Sequence, residues 1–201
     1  MSPQALGAPS ISYRQVMVFG AGGYDAWLTK IGAYTVRDIA VTHVKPNKTV
    51  VGQGYSLNIN VTAAIQGDYA ETFNVTIHVN TTSVASQTIT LGNGTSTTIT
   101  FSWNTIGFAK GNYSIDAEAG SVPGETDTAD NTLLDGWIFV AMPGDINADG
   151  IVDIFDIATV ALAFGSTPSD PNWNSTVDIN NDNIVDIFDI VVVALHFGET
   201  S

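Results

Sequence analysis

The stretch "GDINADGIVDIFDI", Gly144 to Ile157, alternates acidic or amide residues with apolar ones and then turns into an apolar run. Asp145, Asn147, Asp149, Asp153 and Asp156 crowd into a dozen positions, where like charges repel unless a cation lies among them. Calcium is a hard cation that takes oxygen ligands, and a twelve-residue loop supplies them from positions 1, 3, 5, 7, 9 and 12. Asp145, Asn147 and Asp149 fall at positions 1, 3 and 5. Gly150 falls at the sharp turn of position 6, and Ile151 at position 7, where only a backbone carbonyl is needed. Asp153 and Asp156 complete the set at positions 9 and 12.

The pattern occurs twice. Residues 145–166 and 178–199 repeat with an offset of 33, so Asp178, Asn180, Asp182, Ile184, Asp186 and Asp189 occupy the same positions in a second loop. Its sixth position is Asn183, which tolerates the left-handed backbone region better than other non-glycine residues. After the first loop, Ile154, Ile157, Ala158, Ala161 and Leu162 recur at helical spacing, with Phe164 just beyond. Gly165 and Gly198 stand where a helix would be capped. No helix is expected before either loop, because "GWIFVAMP" reads as a strand and "PNWNSTV" as a linker. Each unit is therefore one loop and one helix.

A duplicated loop-helix with Asp at position 12 resembles a type I dockerin, built from two F-hand motifs. The resemblance implies two bound calcium ions, calcium-dependent folding, and docking to a cohesin-like protein. It also implies that Ile154 and Phe155, with the identical pair Ile187 and Phe188, contribute to the partner surface and permit two related binding orientations. The alternative is that these four residues fill a small core between the helices.

Upstream, from residue 34 to 141, the chain alternates apolar and polar residues with period two. "YSLNINVTAAI" sets Leu57, Ile59, Val61 and Ala63 on one face, and "TFNVTIHVN" does the same with Phe73, Val75, Ile77 and Val79. Turn signals such as Gly67-Asp68 and Pro123-Gly124 separate these runs. The expectation is a seven-stranded immunoglobulin-like β-sandwich. "DIAVTHVKPNKTVVGQGYSLNINVTAAIQGDY", "GTSTTITFSW" and "GNYSIDAEAGSVPGETDTADN" make this region similar to CARDB domains of bacterial and archaeal surface proteins. That resemblance implies a spacer or adhesive module without catalysis. "PGETDTADN", with Glu125, Asp127 and Asp130, is read first as a polar hairpin loop and second as a third calcium position.

Charge and composition narrow the functions. The formal net charge of the 201 residues is −14, with only six Lys and Arg. That argues against a nucleic-acid partner, which demands basic residues. No run of 18 apolar residues is present to span a bilayer. There is no Cys, and His43, His78 and His196 are scattered without a catalytic motif around them. Sequons at Asn47, Asn60, Asn74, Asn80, Asn93, Asn112 and Asn174 exceed what Ser and Thr content would give by chance, and they point to an extracellular glycoprotein.

The expected organisation is a lead segment (1–33), a sandwich (34–141) and a dockerin-like unit (142–201), a mainly β chain with a small α C-terminal domain. The expected function is a non-catalytic, extracellular, cell-surface calcium-binding interaction module. The alternative is a structural subunit whose identical copies form a homopolymeric filament or surface layer, with the lead strand "ISYRQVMVF" pairing to a neighbouring copy.

Overall fold

A computed structural model describes residues 35–201. The lead strand and its pairing to another copy lie outside the described residues.

The period-two runs form two antiparallel-dominated sheets packed face to face. One sheet has the order β1–β3–β6, from β1 (Ile39–Pro46), β3 (Ser56–Ile65) and β6 (Ser96–Asn104). The other has the order β2–β8–β7–β4–β5, from β2 (Val50–Gly52), β8 (Thr132–Ala141), β7 (Gly111–Ala119), β4 (Glu71–Val79) and β5 (Thr82–Leu91). Leu57, Ile59, Val61 and Ala63 are fully buried, and so are Val75, Ile77 and nearly all of Val79 and Phe73. Trp103 closes this core, with Phe108 and Tyr113 edge-on at ring-centroid distances of 5.1 and 5.9 Å.

Two departures from the expected strands have local causes. β2 is an eighth strand, only three residues long, that pairs parallel to β8. It is too short to show an alternation of its own. β1 begins at Ile39, because Val36 instead exchanges two hydrogen bonds with Asp68: its N–H reaches Asp68 Oδ2 at 2.9 Å, and its carbonyl accepts from Asp68 N at 2.8 Å. Gly67 permits this approach, since a Cβ there would lie 2.6 Å from both Asp38 N and Val36 O.

Beyond β8 the chain enters two loop-helix units, with α1 (Ile154–Leu162) and α2 (Ile187–Leu195). Helices of nine residues are marginal alone. Each begins with a capping box: the Asp153 side chain accepts from Phe155 N at 2.8 Å, and Asp156 Oδ2 accepts from Asp153 N at 2.8 Å. Asp186 and Asp189 repeat the arrangement in α2. The C-caps are Ala163 and His196, not Gly165 and Gly198. The glycines come two residues later with φ of 80° and 85°, where the chain leaves the helix axis.

The buried stripe also differs from the one the apolar spacing picks out. Asp156, Val160 and Ala163 are buried, whereas Ile154, Ala158, Ala161 and Leu162 are exposed and Ile157 is half-buried. The helix is apolar on nearly every side, so spacing alone does not choose a face. The choice is made by a carboxylate, because Asp156 has backbone donors waiting for it inside.

Each loop is fastened to the end of the other unit's helix. Val152 donates to Glu199 O at 3.0 Å and accepts from Gly198 N at 2.8 Å. Val185 donates to Ser166 O at 3.0 Å and accepts from Gly165 N at 2.7 Å. Met142, Ile146, Val152, Val160, Ala163, Val177, Ile179, Val185 and Val193 form a second, small apolar core, with Tyr55 of the sandwich packed against both cores.

Candidate metal centre

The two acidic loops have the same hydrogen-bond pattern, atom for atom. In the first, Asp145 Oδ1 accepts from Asp149 N at 3.2 Å and Oδ2 from Gly150 N at 3.0 Å. Asn147 Oδ1 accepts from Asp149 N at 2.9 Å, and Asp149 Oδ1 from Ile151 N at 2.9 Å. Asp156 Oδ1 accepts from Ile146 N at 2.8 Å and Asn147 N at 3.3 Å. In the second, Asp178 receives Asp182 N and Asn183 N at 3.1 and 3.0 Å, and Asp189 receives Ile179 N at 2.7 Å. Side chains at positions 1, 3, 5 and 12 thus wind the loop by taking its own N–H groups.

The backbone supports this winding. Gly150 has φ of 87° and Asn183, at the same position, 69°. Asn183 therefore takes the left-handed turn expected of it. Position 4 is left-handed as well, at Ala148 (57°) and Asn181 (64°), and nothing in the sequence marks Ala148 for it.

The donor set fits a hard divalent cation. Two carboxylate oxygens offer about four lone-pair sites; in Asp145 the backbone takes two, and capacity remains. Burial, with Asp156 and Asp149 adding repulsion, holds the Asp145 carboxyl above the ordinary range despite the N–H groups that favour its charge. Burial does the same at Asp178. Asp156 and Asp189 are fully buried. Among the described residues no three His, Asp or Glu side chains are gathered as a ready metal site. The oxygen donors of each loop are instead spread around its turn, four Asp together with an amide and a carbonyl, Asn147 and Ile151 in the first loop.

One residue of the site came from outside the repeats. Lys48, on the turn between β1 and β2, is 4% exposed and donates from Nζ to Asp178 O at 2.6 Å. Burial pushes its ammonium below the ordinary range, and Asp178 and Asp189 pull it back up. Beside it, Asn47 Nδ2 donates to Asn181 Oδ1 at 3.1 Å, and Ser175 Oγ donates to Asn47 O. The sandwich therefore seals the second loop. The only sequence signal was the rarity of Lys in an acidic chain.

The four residues expected at a partner surface all face out. Ile154, Phe155, Ile187 and Phe188 are 59, 67, 54 and 65% exposed. Glu125, Asp127 and Asp130 do not act as one cluster. Both Glu125 oxygens are taken, Oε1 by Ile39 N and Oε2 by Val122 N and Asn131 Nδ2, while Asp127 caps its own turn through Ala129 N. Six of the seven sequon asparagines are exposed; Asn47 is half-buried with its amide nitrogen engaged.

The family model of the type I dockerin domain matches residues 143–197, and the CARDB model matches residues 36–133. The chain is a CARDB domain joined to a type I dockerin domain. At this level it is a calcium-binding protein-interaction module of a kind that occurs in extracellular and cell-surface proteins. Both families are non-catalytic.

A search of the curated proteins finds no match. Among solved structures, the CARDB domain of a Pyrococcus furiosus protein, in complex with di-metal ions, is 21% identical. That match covers 55% of this chain and 98% of the other, with a TM-score of 0.48. A cycloisomaltooligosaccharide glucanotransferase from a Paenibacillus species is 24% identical over 50% of this chain and 14% of its own, at a TM-score of 0.40. A β-glucosidase from Erythrobacter marinus is 13% identical over 52% of this chain and 16% of its own, at 0.42. The enzymes share only a small part of their length with the CARDB–dockerin chain.

Proposed function

We propose that each dockerin loop holds one calcium ion and that the loaded unit docks a cohesin-like domain on another protein. In the first loop the ligands are Asp145, Asn147, Asp149, the Ile151 carbonyl, Asp153 and Asp156. In the second they are Asp178, Asn180, Asp182, the Ile184 carbonyl, Asp186 and Asp189. The donor chemistry favours calcium over magnesium, which demands a tighter octahedron and keeps its waters. Asp153 and Asp186 serve twice, since each also caps the helix that follows.

The observation that carries the docking reading is the exposure of Ile154, Phe155, Ile187 and Phe188 on the first turns of the two helices. Core packing does not need them, because Val160 and Val193 fill the interior. Calcium sets the direction of these turns by ordering the loops in front of them. The CARDB domain acts as a spacer in an extracellular setting, with glycans at Asn60, Asn74, Asn80, Asn93, Asn112 and Asn174 projecting from exposed positions. Asn47 stays unmodified, because its amide is used against Asn181.

Isothermal titration of the full chain with type I cohesin domains tests this reading. Binding is expected with calcium and lost with chelator. Phe155→Ala and Phe188→Ala should each be tolerated, since the repeat offers a second orientation, and the double variant should lose at least tenfold in affinity. Binding that ignores both calcium and the double variant would refute it.

A further inference from the structure

Near the end of the sandwich closest to the start of β1, three buried oxygen atoms lack a hydrogen-bond partner among the described residues: Asp38 Oδ1, Asp130 Oδ1 and Asn131 Oδ1. Buried polar atoms in folded proteins are nearly always satisfied, and an unpaired one costs free energy. Three acceptors without a protein donor, in one neighbourhood, leave room for a cation or water to serve them. Asn131 is 4% exposed.

The neighbourhood is defined by shared partners. The Glu125 carboxylate binds Ile39 N at 3.0 Å, next to Asp38, and Asn131 Nδ2 at 3.1 Å, next to Asp130. Gln66 spans the two acids, donating from N to Asp38 O at 3.0 Å and from Nε2 to Asp130 Oδ2 at 2.9 Å. The amide of Asn131 is oriented by its bond to Glu125, which leaves its oxygen as the free end. The nearby cation does not serve this cluster, because Arg37 is paired with Glu71 and lies 4.5 Å over the Tyr69 ring. Burial, and then the charges of Asp130, Asp127 and Glu125, hold the Asp38 carboxyl above its ordinary range.

We propose that Asp38, Asp130 and Asn131 form a third divalent-cation site, suited to calcium, in the CARDB domain. Two carboxylates and one amide oxygen supply hard ligands, and water completes the shell. Glu125 is not a ligand. It is the clamp that positions Asn131 and the start of β1. The site is independent of the dockerin loops.

The test compares the full chain with an Asp38→Asn/Asp130→Asn variant by equilibrium dialysis against calcium, with bound metal counted per chain. The variant is expected to hold one ion fewer. Failure of the dockerin reading would lower both counts equally and leave that difference intact. Unfolding of the sandwich supplies a second readout. In chelator the variant should melt at or above the unaltered chain, since repulsion is relieved, and in calcium below it. Should the double variant not fold, Asp38→Asn alone is expected to weaken one calcium site at least tenfold. Equal metal counts, or the same melting shift in both media, would overturn the proposal and leave a hydrated polar turn.

Discussion

The sandwich and the dockerin unit bury their chains by different means. The sandwich interior is largely apolar, from Ile39 to Val140, with Thr105 and Asn131 among its few buried polar residues, and its strands hydrogen-bond to one another. The dockerin interior is small, and four carboxylates, Asp145, Asp156, Asp178 and Asp189, are buried in it. One region is held by desolvation of hydrocarbon. The other is held by backbone N–H groups bonded to acids whose charge must itself be offset. A domain of ordinary size affords the first solution, and a unit this short requires the second.

Removal of calcium is expected to produce the largest contrast. Chelator should abolish the helical circular dichroism of α1 and α2 and leave the strand signal of the sandwich in place. A dockerin unit that kept its helices and its melting temperature would erase the distinction between the two regions. Trp103→Ala should act in the opposite sense, destabilising the sandwich by about 3–5 kcal/mol in denaturant unfolding, with calcium affinity of the loops unchanged.

Gly144→Ala probes the seam. Its φ is 89°, and a Cβ would stand 3.1 Å from Val193 Cα and 3.2 Å from Val152 Cγ1. The cost is expected to exceed 1 kcal/mol, since both strain and overlap oppose it, and the loss should appear in calcium-loaded unfolding of the dockerin unit. Lys48→Met should have the smallest effect, since it removes a single hydrogen bond to the Asp178 carbonyl. Its signature is selective: amide exchange should quicken at Asp178 and Asn181 in the second loop and stay unchanged at Asp145 and Ala148 in the first.

Both loops and most of the sandwich were legible from the order of residues alone. Asp145, Asn147, Asp149 and Asp156 bond to N–H groups within about a dozen residues of their own position, so local spacing was enough to read them. Leu57, Ile59, Val61 and Ala63 were legible for a related reason: a pleated strand turns alternate residues inward whatever it packs against. Which face of α1 is buried emerges from the packed molecule, because that helix is apolar nearly all round and the buried stripe is led by Asp156. The same holds for Lys48 against the second loop, and for Asp38 brought beside Asp130 and Asn131. These pairings join residues about ninety or more positions apart. No periodicity carries across such a separation, so they follow from how β1, β8 and the loops meet in space.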